Sequence, residues 1–380
     1  MSETQKHTKP NVPNLRFPGF AGEWKQYTMG ELTELFSRRN KKRIDYPMFS
    51  VTNSRGFVNQ QEQFEDREMK GEDIAAYKII TPGEFAYNPA RINVGSIARY
   101  DGESDCMISS LYVCFKAKKE LVDSQLLLHI LKSPKMFYNY GINGEGGVRI
   151  YLFYPNFARI RVKLPDLDEQ RKIASFLDVI EKRIEIQSKV IERYESLIKA
   201  LYRHVMTKFR GCTVRLGDIV QIQKGKQINS EILSIMGPYY VMNGGITPSG
   251  YYSQFNTEAN TISISEGGNS CGYVQFNEKP YWSGGHCYSL LYPSSNVDYR
   301  FLFHALKSRQ DDIMALRIGS GLPNIQKKDI ESFNIMLPSL DDQKRYASIF
   351  DALSSRRKMA EQVKSNYEIQ KIYLIHNLFI

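Results

Sequence analysis

The sequence LPDLDEQRKIASFLD, residues 164–178, returns 173 positions later as LPSLDDQKRYASIFD, residues 337–351. Chance similarity rarely keeps so many identities in register without a gap, so the match indicates an internal repeat. Both copies begin with polar and charged residues and continue into a stretch that is periodic in apolar residues. Each copy is therefore predicted to begin a long helix.

The first residues of each copy carry the spacing of a helix cap. Asp166 stands three positions before Glu169, and Ser339 stands three positions before Asp342. In this arrangement the first side chain accepts a hydrogen bond from a free amide of the opening turn, and the acidic side chain bonds back. An acidic residue also favours the positive end of the helix. We expect both helices to start at these residues.

The residues after the first cap form a heptad seam. Apolar side chains recur at alternating steps of four and three from Ile173 to Val205, with one polar interruption. About 42 residues of helix would span roughly 63 Å. The second copy carries a weaker seam, and two such stripes most simply bury against each other; two core helices of separate domains are the alternative. The residues predicted to pair the helices are Ile173, Leu177, Ile180, Ile184, Ile191 and Ile198 in the first and Ile349, Leu353, Val363 and Leu374 in the second.

Shorter matches show that the repeat is larger than the two helices. Residues 27–32 correspond to 214–219, and residues 128–133 correspond to 303–308. The globular segments between them are rich in Gly, Asn, Tyr and short β-type runs, so each unit is predicted to be an α+β domain followed by a long helix. The predicted boundaries are a flexible arm at 1–14, domains at 15–165 and 209–338, and helices at 166–208 and 339–380. A short helix is also predicted near the close of each domain, at 125–132 and 301–307.

Composition restricts the class of partner. The chain has 380 residues, a net charge of +10 and a pI near 9.1, which favour a polyanionic partner, nucleic acid before membrane. No run approaches 18 apolar residues and the N-terminus has no signal-peptide core, so we expect a soluble, cytoplasmic protein without a membrane partner. The five cysteines form no Cys-x-x-Cys pair and are predicted to be reduced, mostly buried thiols rather than metal ligands. They are Cys106, Cys114, Cys212, Cys271 and Cys287.

Catalytic signals are weak throughout the sequence, and no catalytic residue is predicted. The segment 88–91, Asn-Pro-Ala-Arg, lacks the aromatic residue with which adenine methyltransferases stack a flipped base. The segment 342–344, Asp-Gln-Lys, is similar to a nuclease metal site, but its position at a helix start favours capping. No phosphate-binding P-loop is present. His129 and His304 correspond in the repeat and lie in apolar helical stretches, so structural packing is the favoured interpretation.

The positive signals indicate contact with DNA. The segment 38–43, Arg-Arg-Asn-Lys-Lys-Arg, is a cationic loop suited to phosphates, and Lys224 and Lys226 lie at the comparable place in the second domain. The phosphate-binding candidates are Arg38, Arg39, Lys41, Lys42, Arg43, Lys224 and Lys226. Reading bases requires donors and acceptors on loops that enter a groove. The base-reading candidates are Asn53, Ser54, Arg55, Arg91 and Arg149 in the first domain and Asn243, Asn269, Asn324 and Gln326 in the second.

With these features the chain resembles the DNA specificity subunits of type I restriction–modification enzymes over nearly its whole length. The resemblance rests on the duplicated Leu-Pro-x-Leu-acidic-acidic-Gln-basic start at 164–171 and 337–344. It also rests on PGEFAYN, residues 82–88, which looks like a strand entry of that family's target-recognition domains and gives Asn88 a structural role. The second domain departs from this pattern, because ANTISI at 259–264 replaces the entry without Pro-Gly.

The resemblance implies an architecture and a set of partners. Two repeated α/β target-recognition domains would each read half of a split, asymmetric site in double-stranded DNA, and the two helices would pair as an antiparallel coiled-coil spacer. Two methylation subunits using S-adenosylmethionine would dock around the chain, and restriction subunits would add ATP- and Mg²⁺-dependent translocation and cleavage. The chain itself would hold no cofactor and would not be an enzyme. The alternatives are a nuclease or methyltransferase with an unrecognised site, and a coiled-coil scaffold without a role on DNA.

Overall fold

A computed structural model describes residues 11–60, 74–147, 150–208, 212–319, 321 and 323–379. The chain divides into two compact units. The first unit contains the described residues up to Ile186 together with those from Lys364 onwards, and the second unit contains residues 187–363. Each long helix therefore contributes one segment to each unit.

The first unit is built from ten strands and four short helices within the described residues. The strands are β1 (Lys25–Thr28), β2 (Thr33–Phe36), β3 (Met48–Thr52), β4 (Gly56–Asn59), β5 (Lys78–Ile80), β6 (Phe85–Tyr87), β7 (Ile97–Arg99), β8 (Cys106–Ile108), β9 (Val113–Ala117) and β10 (Arg161–Leu164). The short helices are α1 (Met29–Leu32), α2 (Ser124–Leu131), α3 (Pro134–Asn143) and α4 (Tyr154–Arg159). The first long helix, α5 (Leu167–Lys208), follows them.

The second unit repeats this plan. Its strands are β11 (Cys212–Arg215), β12 (Gln221–Lys224), β13 (Tyr239–Met242), β14 (Gly250–Tyr252), β15 (Thr261–Ser265), β16 (Val274–Asn277), β17 (Trp282–Ser283), β18 (Cys287–Leu291) and β19 (Asn334–Leu337). Its short helices are α6 (Leu216–Ile219), α7 (Tyr299–Ser308), α8 (Gln310–Ala315) and α9 (Lys327–Glu331), before the second long helix, α10 (Leu340–Leu378). The helices predicted at 125–132 and 301–307 correspond to α2 and α7.

The sheets show the duplication directly. In the first unit a four-stranded sheet has the order β2-β9-β6-β7, and in the second the order β12-β18-β15-β16 occupies the same places. A further sheet, β4-β3-β8-β5, is matched by β14-β13-β17, and each contains one parallel pair, β3 with β8 and β13 with β17. Each unit is closed by an antiparallel pair, β1 with β10 and β11 with β19. The prediction of two α+β units of one design is confirmed.

The caps of the long helices form at the predicted residues, with one difference. The Glu169 amide donates to Asp166 Oδ1 (2.9 Å), and the Asp342 amide donates to Ser339 Oγ (3.3 Å). The prediction that Glu169 bonds back to its cap is wrong. Its side chain is buried and accepts two hydrogen bonds from Arg16 (2.7 and 2.8 Å), because a buried carboxylate requires a charged partner.

The two long helices run antiparallel within each unit and complete its core. In the first unit Lys371 donates to Glu181, and Arg183 donates to Tyr367 Oη (3.3 Å). In the second unit Tyr202 packs on Phe350, with ring centroids 6.4 Å apart. Of the residues predicted to pair the helices, those that are buried in the first unit's core are Ile173, Leu177, Ile180 and Leu374, with Ile184 partly buried against it. Ile191, Ile198 and Leu353 are partly buried.

The predicted seam of α10 is wrong at two positions. Ile349 is 38% exposed and Val363 is 39% exposed. The buried face instead contains Tyr346 and Phe350, together with Ala360, which the predicted seam also contains. Where apolar residues are sparse, assigning the stripe to a residue one position away turns the predicted stripe by about 100° around the helix axis. Phe350, the larger side chain next to Ile349, is the one that points inward.

A buried glutamine near the start of each long helix attaches that helix to the globular segment that precedes it in the chain. Gln170 accepts a hydrogen bond from the Asp123 amide (2.9 Å) and donates to the carbonyls of Leu121 and Pro165. Gln343, which is 1% exposed, accepts from the Asp298 amide (2.8 Å) and donates to the carbonyls of Asn296 and Pro338. Since Asp123 and Asp298 are the N-caps of α2 and α7, both glutamines connect a long helix to the start of a short one.

Replacing Gln343 by Ala should therefore destabilise the second unit. The change removes the side-chain partner of the Asp298 amide, of the buried Pro338 carbonyl and of the Asn296 carbonyl, and we expect a loss of about 2–3 kcal/mol in the free energy of unfolding. Urea unfolding followed by circular dichroism measures this. Gln370→Ala is the matched control, because Gln370 is exposed on the same helix and its loss should cost less than about 0.5 kcal/mol. Equal stability of the two variants would contradict the assignment.

The predicted flexible arm, residues 1–14, lies mostly outside the described residues. From Asn11 onwards the chain is described, and it is attached to the first unit there. The Asn11 carbonyl accepts from the Trp24 amide (2.8 Å), and Asn11 Oδ1 accepts from Lys163 Nζ (2.6 Å). The exact domain boundaries stay predictions.

Candidate nucleic-acid interface

Four of the base-reading candidates of the first unit lie on two loops in contact. Asn53, Ser54 and Arg55 form the exposed turn between β3 and β4, and exposed Arg91 precedes a 3-10 turn at Ile92–Val94. The loops meet where Ser96 Oγ donates to the Val51 carbonyl (2.7 Å). Gly95 has a φ of 102°, a conformation that favours glycine, and a Cβ there would lie 3.1 Å from the Asn53 carbonyl oxygen. The fifth candidate, Arg149, lies outside the described residues.

The Arg38–Arg43 loop of the first unit is anchored at its base and exposed at its tip. Asn40 is fully buried, and its side chain bonds both the amide (3.0 Å) and the carbonyl (2.7 Å) of Ile44. Arg38 donates to Glu84 Oε1 (2.7 Å), so part of its charge is already compensated. Arg39, Lys41 and Lys42 are exposed, and exposed Arg43 has a left-handed backbone conformation (φ 54°) that turns the chain. The loop can therefore present several cations to an anionic surface.

In the second unit the candidate residues surround one buried acid, Glu266, which sequence analysis missed. Lys224 Nζ and Tyr288 Oη both donate to Glu266 Oε1. Oε2 is buried without a hydrogen-bond partner, and the Nδ1 atom of His286 lies 3.6 Å from it. Both burial and the bond to Glu266 raise the pKa of the Tyr288 hydroxyl, so tyrosine remains the proton donor.

Several loops of the second unit converge on this acid. The Ile325 amide donates to the Glu266 carbonyl (2.8 Å), and Gly267 forms a β-bridge with Asn324. The residues that follow Glu266 and Gly267 form the 3-10 turn at Gly268–Ser270, which contains exposed Asn269. The Lys226 carbonyl accepts from Trp282 Nε1 (3.0 Å), and the Glu266 amide donates to the His286 carbonyl (2.9 Å). The structure thus brings together the loops that carry Lys224, Lys226, Asn269, Asn324 and Gln326.

Two asparagines hold loops with their side chains. Asn243 Oδ1 accepts from the His286 amide (3.2 Å), which leaves the amide nitrogen of Asn243 as its available donor group. In the first unit Asn88 Oδ1 accepts from the Ala90 amide (3.0 Å). Asn88 thus has a local structural contact, in agreement with the resemblance rather than with a methyltransferase motif.

The paired histidines each bind an acid that sequence analysis also missed. His129 Nε2 lies 2.8 Å from Asp178 Oδ1, and His304 Nε2 lies 2.7 Å from Asp351 Oδ1. Burial lowers the pKa of His304, although Asp351 opposes the shift. The available signal was the repeat, because Asp178 and Asp351 occupy the same position in its two copies. Each histidine joins a short helix to a long one, so the packing interpretation holds.

One group of side chains in the described part of the chain has metal-ligand proximity: His129, Asp178 and Glu181. Its acids already have partners, because Gln125 donates to Asp178 and the Lys371 ammonium donates to Glu181. An ammonium group in this position supplies the positive charge that a metal would bring. The cluster is better described as an ion-paired contact between helices.

The four cysteines whose side chains the structure describes are poor nucleophiles, and the side chain of the fifth, Cys212, lies outside that description. Cys106, Cys114, Cys271 and Cys287 are free and buried, as predicted. Burial raises the pKa of the Cys106 and Cys114 thiols to about 12 and that of Cys287 to about 11. These thiols remain protonated at neutral pH, and a protonated thiol is a poor nucleophile.

The fold and its two loop clusters define a duplicated α+β protein whose units each present cations and amides on neighbouring loops. The family model for the type I restriction modification DNA specificity domain matches residues 21–195 and 212–370. The chain belongs to this family.

Individual relatives agree with the family assignment. The chain is 34% identical over 167 residues to a type I specificity subunit of Mycoplasma pneumoniae, covering 43% of this chain and 44% of the relative. A similar protein of Mycoplasma genitalium is 32% identical and is covered to 43%, so the chain matches less than half the length of these two relatives. The MjaX specificity subunit of Methanocaldococcus jannaschii is 23% identical over 97% of both chains.

Solved structures share the fold over nearly the full length. The type I S subunit of M. genitalium superposes with a TM-score of 0.70 at 18% identity, covering 97% of this chain and 99% of that one. A second structure, described as part of a type I system studied for complex assembly, gives a TM-score of 0.52 at 16% identity. None of the helices in the described part of the chain is long and apolar enough to cross a membrane.

Proposed function

We propose that this chain is the specificity subunit of a type I restriction–modification complex, which reads a bipartite, asymmetric DNA site with one unit per half-site. The observation that carries the proposal is the duplication of a whole loop-bearing unit, with cations and amides at corresponding strand ends. The two clusters differ in their residues, Arg55 and Arg91 against Asn269 and Asn324. Different donors and acceptors select different bases, so the two half-sites should differ.

Membership in a type I specificity family implies assembly with other subunits. The identity of these subunits is part of the proposal. Two methylation subunits bring S-adenosylmethionine and methylate adenine, and restriction subunits bring ATP and Mg²⁺ for translocation and cleavage. The chain would then select the site and leave the chemistry to its partners. We also propose that the protein is cytoplasmic, since free, buried thiols and a DNA target are both compatible with that compartment.

Mapping modified bases tests this function. The chain is expressed with its cognate methylation subunit in a host without adenine methylation, and modified adenines are located by single-molecule sequencing. We expect one interrupted, asymmetric motif. A variant with Asn269→Ala and Asn324→Ala in the second unit should relax one half of the motif and leave the other half unchanged. Methylation without a motif, or activity of the purified chain alone on DNA, would contradict the proposal.

The Arg38–Arg43 loop should bind phosphates rather than bases. Changing Arg39, Lys41 and Lys42 to Gln should weaken binding to all DNA sequences alike, because backbone contacts carry no sequence information. The slope of log affinity against log salt should fall by roughly one for each lost phosphate contact. Fluorescence anisotropy at several salt concentrations measures both effects.

The control for the loop variant removes charge elsewhere in the same unit. Lys25 and Lys119 are exposed cations outside the loop, and changing both to Gln should leave the slope nearly unchanged. If the loop variant loses affinity for one sequence only, the loop reads bases and the phosphate assignment is wrong.

A further inference from the structure

The second unit contains a groove that the proposed DNA interface does not use. Its volume is about 580 Å³, and it lies between strand β16, helix α7 and the segments of α5 and α10 that belong to this unit. Aromatic side chains, among them Phe276 and Phe303, form part of its wall. Such a volume is in the range of ligand-binding clefts.

One wall of the groove is the outer edge of a sheet, where the backbone groups are only partly free. Strand β16 is the outer strand of its sheet and pairs with β15 on one side. The backbone groups of Val274 point to the other side, where Gln310 Oε1 accepts from its amide (3.0 Å) and Lys307 Nζ donates to its carbonyl (2.8 Å). Backbone directions repeat every two residues, so the amide and carbonyl of Phe276 also point away from β15. Among the described residues no hydrogen bond to these two groups is found.

The opposite wall carries three cations and one acid, Glu195, and is called the cationic wall here. Lys199 comes from α5, and Arg357 and Lys358 come from α10. The Arg357 guanidinium lies 3.6 Å from Glu195 and 3.5 Å from Glu361, and its Nε is buried without a hydrogen-bond partner. Two further cations lie inside: Lys307 is over the Tyr273 ring, and Arg300 is over the Phe276 ring and paired with Asp351. The acids Glu278 and Asp311 also line the groove.

This cationic wall is not repeated in the first unit. The residues 173 positions away from Lys199, Arg357 and Lys358 are Ile372, Ile184 and Glu185. The ion pair of Glu181 with Lys371 crosses between the helices there, whereas the corresponding positions in the second unit hold Ser354 and Ile198. Shorter and apolar side chains occupy these positions in the second unit, where more cations than acids line the space.

We propose that this groove binds an extended, acidic segment of a partner polypeptide, which pairs with the open backbone groups of Phe276 at the outer edge of β16. Strand addition to an exposed edge supplies main-chain hydrogen bonds, and side chains at alternate positions supply specificity. Acidic side chains at alternate positions of such a segment all face one side and meet Lys199, Arg357 and Lys358. The proposal rests on the proposed function only in that the partner would belong to the same complex. The first unit lacks the cationic wall. If one copy of the partner bound to each unit, only the copy at the second unit would therefore contact such a groove.

The test uses the full chain and a fluorescein-labelled peptide of alternating glutamate and valine. Anisotropy should show saturable binding that a peptide of alternating lysine and valine does not reproduce. Hydrogen exchange should show new protection of the Phe276 amide on binding, with the Gln275 amide, already bonded to β15, unchanged. Binding without protection of Phe276 would overturn strand pairing.

Variants separate the two walls. Arg357→Glu with Lys358→Glu should weaken the peptide by about tenfold or more, since reversing close charges adds repulsion to the lost attraction. Arg356→Glu, a neighbouring exposed cation that does not line the groove, is the control and should have little effect. Phe276→Pro removes the outward amide while keeping the ladder with β15, and should abolish binding. Phe276→Ala keeps the amide and should retain most of it.

Two further outcomes would overturn the proposal. Peptide binding that survives Phe276→Pro and the double charge reversal would place the peptide elsewhere. Displacement of the peptide by a short single-stranded oligonucleotide at equal concentration would make the groove a nucleic-acid site. Motif-specific methylation is measured on the same variants and does not depend on either result. A wrong assignment of the groove can therefore be distinguished from a wrong assignment of the specificity function.

Discussion

A chain that ends at Val363 is expected to lose the fold of its first unit and keep that of its second. The deleted segment contains Leu374, Ile375 and Leu378, which are 6%, 8% and 1% exposed in the core of the first unit. Removing one buried aliphatic side chain costs about 2–5 kcal/mol. Removing three reaches the whole stability of an ordinary domain, about 5–15 kcal/mol. The second unit contains none of the deleted residues.

Hydrogen exchange measures the two units separately. Strands β6 and β9 should lose protection in the shortened chain, whereas β15 and β18 should keep it. The point variant Leu378→Ala should show the same pattern more weakly. Ile372→Ala is the matched control: Ile372 is 60% exposed on the same segment, and its loss should change stability by less than about 0.5 kcal/mol. Equal loss of protection in both units would contradict this assignment of the cores.

The repeat could be found from the sequence because the same residues make the same bonds in both units. Gln170 and Gln343 each bond an N-cap amide and two carbonyls, and His129 and His304 each meet an aspartate of a long helix. These bonds link elements whose separation along the chain is nearly equal in the two copies. A buried polar side chain with several partners tolerates few substitutions. The two copies therefore have the same residues at these positions, and the repeat can be recognised in the sequence.

The site could be predicted only in part. Lys224, Asn269 and Asn324 were recognisable as polar residues in loops, but the central Glu266 was not, because its partners come from loops far apart in sequence. Nothing in the local segment distinguishes a buried acid from a solvated one. The cationic groove was hidden for a related reason. Lys199 and Arg357 are ordinary surface residues of two helices, and the space between them exists only once those helices pair.

A fragment of residues 1–208 is expected to form a homodimer that reads an interrupted palindrome. It lacks Leu374, Ile375 and Leu378, but the residues 173 positions earlier are Leu201, Tyr202 and Val205. In the full chain Tyr202 and Val205 are buried in the second unit's core, and Leu201 packs against it. In the fragment these residues would be exposed, so the helix end of one copy can fill the core of the other. A two-fold pair buries such self-complementary surfaces symmetrically.

Two identical units related by a two-fold axis would read the same half-site in opposite orientations, about 34–36 Å apart as in other two-fold readers of DNA. The measurement is analytical ultracentrifugation of the fragment, followed by sequencing of methylated sites after expression with the cognate methylation subunit. Val205→Asp should keep the fragment monomeric, because it would bury an unpaired charge. Ala200→Asp, on the exposed face of the same helix, should leave the dimer and the palindromic motif intact. A monomeric wild-type fragment, or an asymmetric methylated motif, would exclude this exchange of helix ends.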